Sequence, residues 1–335
     1  MARLCEQHDA YQWICGGVAV SYRTLAAFRV AHEEKLDALL TESVVQLVDA
    51  GLVRLDRIAQ DGMRVRASAG AASFRRRTRL RELEREVRRR VVSLRRELED
   101  DPAASSRRVK AAREQAARDR QERVRRALAK VRELGEQKPS EQDKVRASTT
   151  DPEARVMKMA DGGFRPAYNV QLAMDPASQV VVGVEVTDAG SDMQQLMPML
   201  AQLDRRYGSV PCEALVDGGF TSLEAIEAAD AQGCRVYGPP MKPRNAERNP
   251  YRPLPSDSDP IARWRRRMGS ASAKRKYKDR AATAECVNAQ ARDRGLLQFL
   301  VRGRVKTRSV SLPYALAHNA MRGMALKRAL AEAPA

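Results

Sequence analysis

The chain has 335 residues, 43% of them hydrophobic, and a formal net charge of +18. That length holds one sizeable core plus an appendage, and no apolar run nears the roughly 18 residues of a membrane span. The charge leaves two readings open, a polyanion partner or simple solubility in an arginine-rich composition.

Other absences narrow the chemistry. Cys5, Cys15, Cys212, Cys234 and Cys286 form no CxxC or His/Cys spacing suited to zinc, so reduced thiols are expected. The N-terminus has no signal-peptide pattern. Three histidines and no G-x-S-x-G argue against a triad hydrolase, and the missing G-x-x-x-x-G-K-[ST] excludes a P-loop ATPase.

Residues 1–53 read as helical. Gly16-Gly17 marks a turn, a helix begins near Thr24, and Val44, Val45, Leu47 and Val48 make one apolar face ended by Gly51. These helices form either a small DNA-binding unit or a layer on a later sheet, and the second is preferred. From 52 to 68 the period changes to strand-like alternation, Met63, Val65 and Ala67 against Arg64 and Arg66. On spacing alone Asp61-Gly62 within it reads first as a hairpin turn.

Residues 74–138 are basic and helical. Leu80, Leu83, Val87, Val91, Leu94 and Leu98 step by three and four; DDPAASS at Asp100–Ser106 breaks the helix; Val109 to Leu134 make a second one. An antiparallel hairpin is expected. Its arginines are either laced to glutamates or laid along DNA phosphates.

A mixed fold resumes near Thr149. Ala167–Asp175 and Gln179–Thr187 read as a strand hairpin, Asp192–Leu203 as a helix and Glu213–Val216 as a strand. Thr221 with Glu224 reads as a capping box, and Cys234–Tyr237 as a further strand. Strands interleaved with helices predict an α/β fold, a mixed sheet flanked by helices. The proline-rich stretch 238–275 forbids long regular structure; its basic cluster around Trp264 is either a nucleic-acid contact or a connector. Lys276–Leu300 is read as a single helix.

Asp217 stands where an apolar strand meets a glycine turn, a place where such folds present reactive side chains. A buried strand hosts a carboxylate cheaply only if it is paired or bound to metal. Two-metal phosphoryl transfer needs about three acids around ions roughly 4 Å apart, and hard oxygen ligands select Mg²⁺ or Mn²⁺. Glu285 and Arg292, seven residues apart, share a helix face, a carboxylate for metal beside a guanidinium for phosphate. An ordinary polar surface helix explains the same spacing.

The segments DPEARVMK, GGFRPAYNVQLAMD, QVVVGVEVTDAGSDMQQLMPML, ALVDGGF, YKDRAATAECVNAQARDRGLLQFLVRG and ALAHNAMR, in that order, resemble bacterial insertion-sequence transposases of the DDE type. The resemblance implies an RNase H-like fold with an N-terminal helical region at 1–53 and a catalytic domain built from 54–72 and 141–318. It also implies an inserted hairpin at 73–140 and a C-terminal helix or tail at 319–335. It implies DNA cleavage and strand transfer with two Mg²⁺ or Mn²⁺ ions, held by Asp61 (in a D-G-T-type motif with Met63 replacing Thr), Asp217 and Glu285. Tyr277, Arg280 and Arg292 match the family's Y-x-x-R, E, basic pattern and would contact DNA. Asp151 is the alternative first carboxylate. The implied partners are double-stranded DNA, as terminal inverted repeats and target, and a second copy of the chain on that DNA. The implied location is the bacterial cytoplasm, at the nucleoid.

Departures stand beside the match. Arg292 replaces a usual Lys, and Cys286 and Asn288 replace a usual proline and aromatic residue. Residue 1 falls inside the family's usual pattern, so either a shortened reading frame or a chain that binds DNA poorly is expected. Two alternatives follow: an impaired transposase that only binds DNA, or an RNase H-like nuclease without strand transfer.

Overall fold

The computed structural model describes residues 2–100, 104–137, 139–241, 243 and 248–332. Four helices come first: α1 (Ala2–Gln7), α2 (Asp9–Ile14), α3 (Tyr22–Ala31) and α4 (Glu33–Asp49). Ser21 caps α3, its hydroxyl accepting from Thr24 N. Among the four, α4 carries the burial: Leu40, Val44 and Leu47 enter the main core.

β1 (Arg57–Arg66) follows and is the centre of the sheet. It is continuous through Asp61-Gly62, which corrects the hairpin-turn reading. Asp61 stands opposite Leu172 and Gly62 opposite Gln171 in an unbroken ladder. The physical reason is a polar layer above Gly62. A Cβ there would lie 2.7 Å from Asn169 Oδ1 and 2.5 Å from Gln171 Nε2, with Asp192 Oδ1 closer still. The glycine makes room for those side chains rather than for a turn.

A short ribbon, β2 (Phe74–Arg75) with β3 (Ala147–Ser148), closes the base of the inserted hairpin. The hairpin is α5 (Arg77–Asp100) and α6 (Ala104–Gln137). Leu83, Val87, Leu94, Val124 and Leu134 line its buried seam, as the spacing predicts, while the Leu98 side chain and residues 101–103 of the predicted break lie outside the described residues. Its charged faces are laced with ion pairs, among them Arg79–Glu82, Arg95–Glu99, Arg126–Glu122 and Arg132–Glu136. Leu80, Ala127 and Val131 pack with Ala147, and Lys130 reaches Asp188 at 2.6 Å.

The sheet then completes. β4 (Arg155–Lys158) and β6 (Val181–Thr187) both pair with β5 (Phe164–Met174), which is antiparallel to β1. β5 is buried from Pro166 to Met174, so it reads as a near-continuous apolar and small run. α7 (Leu196–Tyr207) starts four residues later than predicted, because Asp192 is buried and accepts side-chain bonds instead of opening a helix. β7 (Glu213–Leu215) runs parallel to β1, and β8 (Arg235–Tyr237) parallel to β7, with α8 (Leu223–Ala231) between them. The N-cap of α8 is Ser222, which accepts from Ala225 N. Thr221 instead donates to Gly218 O and Pro239 O, which corrects the capping-box reading.

The six-stranded sheet follows the path β4-β5-β1-β7-β8, with β6 also paired to β5. β5 pairs antiparallel with β1, β4 and β6, and β7 and β8 run parallel to β1, a mixed sheet of RNase H-like kind. The proline-rich stretch holds more helix than predicted. α9 (Asp259–Gly269) forms because Pro260 occupies its first turn, where no N–H is needed. Trp264 is fully buried in it, and Arg265 bonds Asp257 at 2.8 Å and Pro250 O at 2.9 Å, so this cluster is structural rather than a loose basic loop. α10 (Ala271–Arg280), one π-turn (Ala281–Glu285) and α11 (Cys286–Asp293) replace the single predicted helix 276–300. α12 (Arg304–Glu332) runs unbroken across residue 318, and residues 333–335 lie outside the described residues. It packs on α4 and β6.

Candidate active site

β1 brings Asp61 to the middle of the sheet, and β7 ends just before Asp217 on the neighbouring parallel strand. Strand β7 leaves β1 after Ala59, so the β1 edge beyond it is open. The π-turn packs over that edge. Thr283 donates to Asp279 O at 2.7 Å and Pro176 O at 3.3 Å, which ties the widened turn to the β5–β6 connection. Single π-turns inside α-helices recur at functional sites. Here one ends on Glu285.

The three acids meet around one guanidinium. Arg280 Nη2 is 3.5 Å from Asp61 Oδ1 and 3.8 Å from Asp217 Oδ2, and Nη1 is 3.3 Å from Glu285 Oε1. Arg280 is buried, and its Nε has no hydrogen-bond partner. The acids grade outward: their side chains are 15%, 39% and 64% exposed for Asp61, Asp217 and Glu285. Asp217 Oδ1 accepts from Gly219 N at 2.7 Å, which fixes its carboxylate at the strand end.

Burial raises the Asp61 pKa; Arg280 opposes the rise, and the nearby Asp217 charge adds to it. Asn288 Nδ2 donates to Asp61 Oδ2 at 2.9 Å, while Asn288 Oδ1 is buried without a partner. In the sequence Asn288 lies on the helix face shared by Glu285 and Arg292 and departs from the usual aromatic residue, with no site role assigned to it. Its spacing of three from Glu285 was the signal that it shares the site's face.

The other predicted residues divide. Tyr277 is half-buried against the core, and burial raises its pKa. Arg292 lies one turn beyond Asn288 and lines a neighbouring groove rather than touching the acids. Asp151 makes its bonds elsewhere, accepting from Tyr168 Oη at 2.8 Å and Gly303 N at 3.2 Å. Burial raises its pKa as well, against the pull of the Tyr168 bond. Sequence reasoning also passed over Asp192, which lies buried and accepts from Asn169, Gln171 and Arg64 at 2.6–2.7 Å.

The donor chemistry suits a hard divalent cation, since three carboxylates face one buried positive centre. Among the described residues no group of three His, Cys, Asp or Glu side chains stands close enough to hold a metal ion. Arg280 occupies the space between them.

A family model for the transposase DDE domain matches residues 137–319. The chain belongs to the transposase DDE domain family. Family membership makes it a DDE transposase, an enzyme of the polynucleotidyl-transferase class acting on DNA. Asp217 and Glu285 fall within the match, whereas Asp61 precedes it, on the far side of the inserted hairpin. No curated protein and no solved structure matches the chain. Among the described residues no helix is long and apolar enough to cross a membrane.

Proposed function

We propose that this transposase cuts and joins DNA at Asp61, Asp217 and Glu285. The observation that carries the reading is their convergence on Arg280 from three separate parts of the chain. Asp61 is preferred to Asp151 as the first carboxylate because Asp151 is engaged with Tyr168 and Gly303.

Asp61, Asp217 and Glu285 would hold two Mg²⁺ or Mn²⁺ ions. When bound, such ions activate a water or 3′-hydroxyl nucleophile and neutralise charge at the scissile phosphate. Asn288 orients the Asp61 carboxylate through its amide. Arg280, freed from the carboxylates, supplies a guanidinium for phosphate, and Arg292 on the next helix supplies a second. The substrates on this reading are double-stranded terminal repeats and a target duplex, worked on by two copies of the chain.

The test is nicking and joining of terminal-repeat duplexes with Mg²⁺ against EDTA. Asp217→Asn is expected to lower metal-dependent turnover at least ~100-fold, with folding unchanged by circular dichroism. Full activity in Asp217→Asn would remove the assignment. The place of Arg280 between the acids favours one second reading, a chain that holds DNA without cutting it. Salt-dependent binding with no metal-dependent product at any Mn²⁺ concentration would select that reading.

A further inference from the structure

We propose that a second site, a basic groove beside the carboxylates, holds the phosphodiester backbone of one strand of the DNA flanking the cut. This rests on the functional reading above for the identity of the polyanion. The groove itself rests on its own residues.

It encloses about 700 Å³ and opens beside Gly62, the residue after Asp61. Its far wall includes Arg292, one turn beyond the Asn288 that bonds Asp61. Arg64 and Arg66 enter it from β1, Lys158 from the end of β4, and Arg165 from the start of β5; Asp161 is the acid among its lining residues. Two of these cations are already committed, Arg64 to Asp192 at 2.7 Å and Arg165 to Asp161 at 2.5 Å. Arg66, Lys158 and Arg292 reach no acidic partner among the described residues, and Arg66 and Lys158 are exposed.

Solvated cations gathered in a concave site, where Asp161 and Asp192 are each already paired with an arginine, form a focused positive field. The walls favour a chain over a small anion. From Gly62 to Arg66 the strand runs four residues, about 13 Å, longer than a single phosphate and equal to the axial rise of about four steps of one duplex strand at roughly 3.4 Å per step. The groove offers guanidinium and ammonium groups and few base-reading amides, so it grips backbone irrespective of sequence. Arg66 is also held in place: Arg66 N donates to Leu297 O at 3.1 Å and Phe299 N to Arg66 O at 2.8 Å, which closes the far end of the groove against β1.

The experiment is fluorescence anisotropy of a labelled duplex of about 20 base pairs in EDTA, which removes metal chemistry from the readout. The charge-reversed pair Arg66→Glu/Lys158→Glu is compared with wild type and with Lys327→Glu/Arg328→Glu, an equal charge change on exposed residues of α12. The groove pair is expected to weaken binding at least about tenfold near 0.1 M salt and to flatten the log–log salt slope by about two units. The α12 pair is expected to do much less. Where the reversed pair does not fold, Arg66→Ala/Lys158→Ala tests the same point and flattens the slope by a similar amount.

Equal losses in the groove and α12 pairs would reduce the effect to net charge and overturn the site. Wild-type affinity in the groove pair would do the same. Poly-glutamate binding that the groove pair impairs more than duplex binding would overturn DNA as occupant. Failure of the wild-type chain to bind any duplex would overturn this inference and the functional reading together, whereas binding untouched by the groove pair overturns only the groove.

Discussion

A buried guanidinium is costly unless acids surround it, and Arg280 is surrounded by three at 3.3–3.8 Å. None of these contacts is short, and its Nε goes unpartnered, so the arrangement is one that a stronger cation can displace. Replacing Arg280 with Ala is therefore expected to tighten Mn²⁺ binding in the absence of DNA, by about tenfold for roughly 1.4 kcal/mol of relieved competition, read by the loss of the free Mn²⁺ resonance signal. Unchanged or weaker Mn²⁺ binding would show that Arg280 is not competing for that place. Gly62 is a second residue whose role is steric. Gly62→Ala drives a methyl into Asn169, Gln171 and Asp192 and is expected to cost about 2 kcal/mol in urea unfolding, although alanine is ordinarily tolerated in a strand. A cost near zero would mean that the polar layer yields without penalty.

Between elements, the strongest tie near the site is Glu213 on β7. It accepts from Arg57 at 2.7 Å on β1, from Arg235 at 3.1 Å and Tyr237 at 3.0 Å on β8, and from Lys276 at 2.7 Å on α10. One carboxylate thus fastens three strands to the helix that leads to Arg280. Burial alone would raise its pKa; Lys276, Arg57 and Tyr237 outweigh that and hold it at about 2, below the usual 4.5. A depressed carboxylate stabilises the fold above its unfolded value, and that contribution fades as pH falls from about 4.5 through about 2. Glu213→Gln is expected to cost about 3 kcal/mol at pH 7, with the gap to wild type closing as unfolding is measured at successively lower pH. A gap independent of pH would mean that packing rather than charge makes the tie.

At the scale of the whole molecule, the arginine-rich hairpin is an addition to a sheet that closes without it. β2 and β3 pair at its base, and Leu80, Ala127 and Val131 with Ala147 form its own small cluster, separate from the main core. Replacing 77–144 with a short Gly-Ser linker is expected to keep one cooperative unfolding transition, with Tm lowered by less than about 5 °C. Loss of cooperativity would make the hairpin part of the catalytic core's folding unit. Much of this organisation was legible in the sequence. The 3.6-residue period of 77–137 and the two-residue alternation of 63–67 survive burial because there each element has one face in a core, whereas Ile58, Ala59 and Gln60 are buried in succession. The π-turn, the late start of α7 and the Ser222 cap were not legible. Each is decided by a side chain from elsewhere, Thr283 on Pro176 O, Asp192 under Asn169 and Gln171, and Thr221 on Pro239 O.

The sequence by itself determined the strand-end place of Asp217, the spacing of Arg280, Glu285 and Arg292, the basic hairpin and the family resemblance. These are local or ordered features, written in residue type and separation. Only the tertiary structure decided that Asp61-Gly62 is mid-strand, that Asp151 is engaged with Tyr168 and Gly303, and that Asn288 reaches Asp61 across 227 positions. Those facts depend on which strands pair and in what register. Register is set by the sum of packing over the sheet, which no single segment carries.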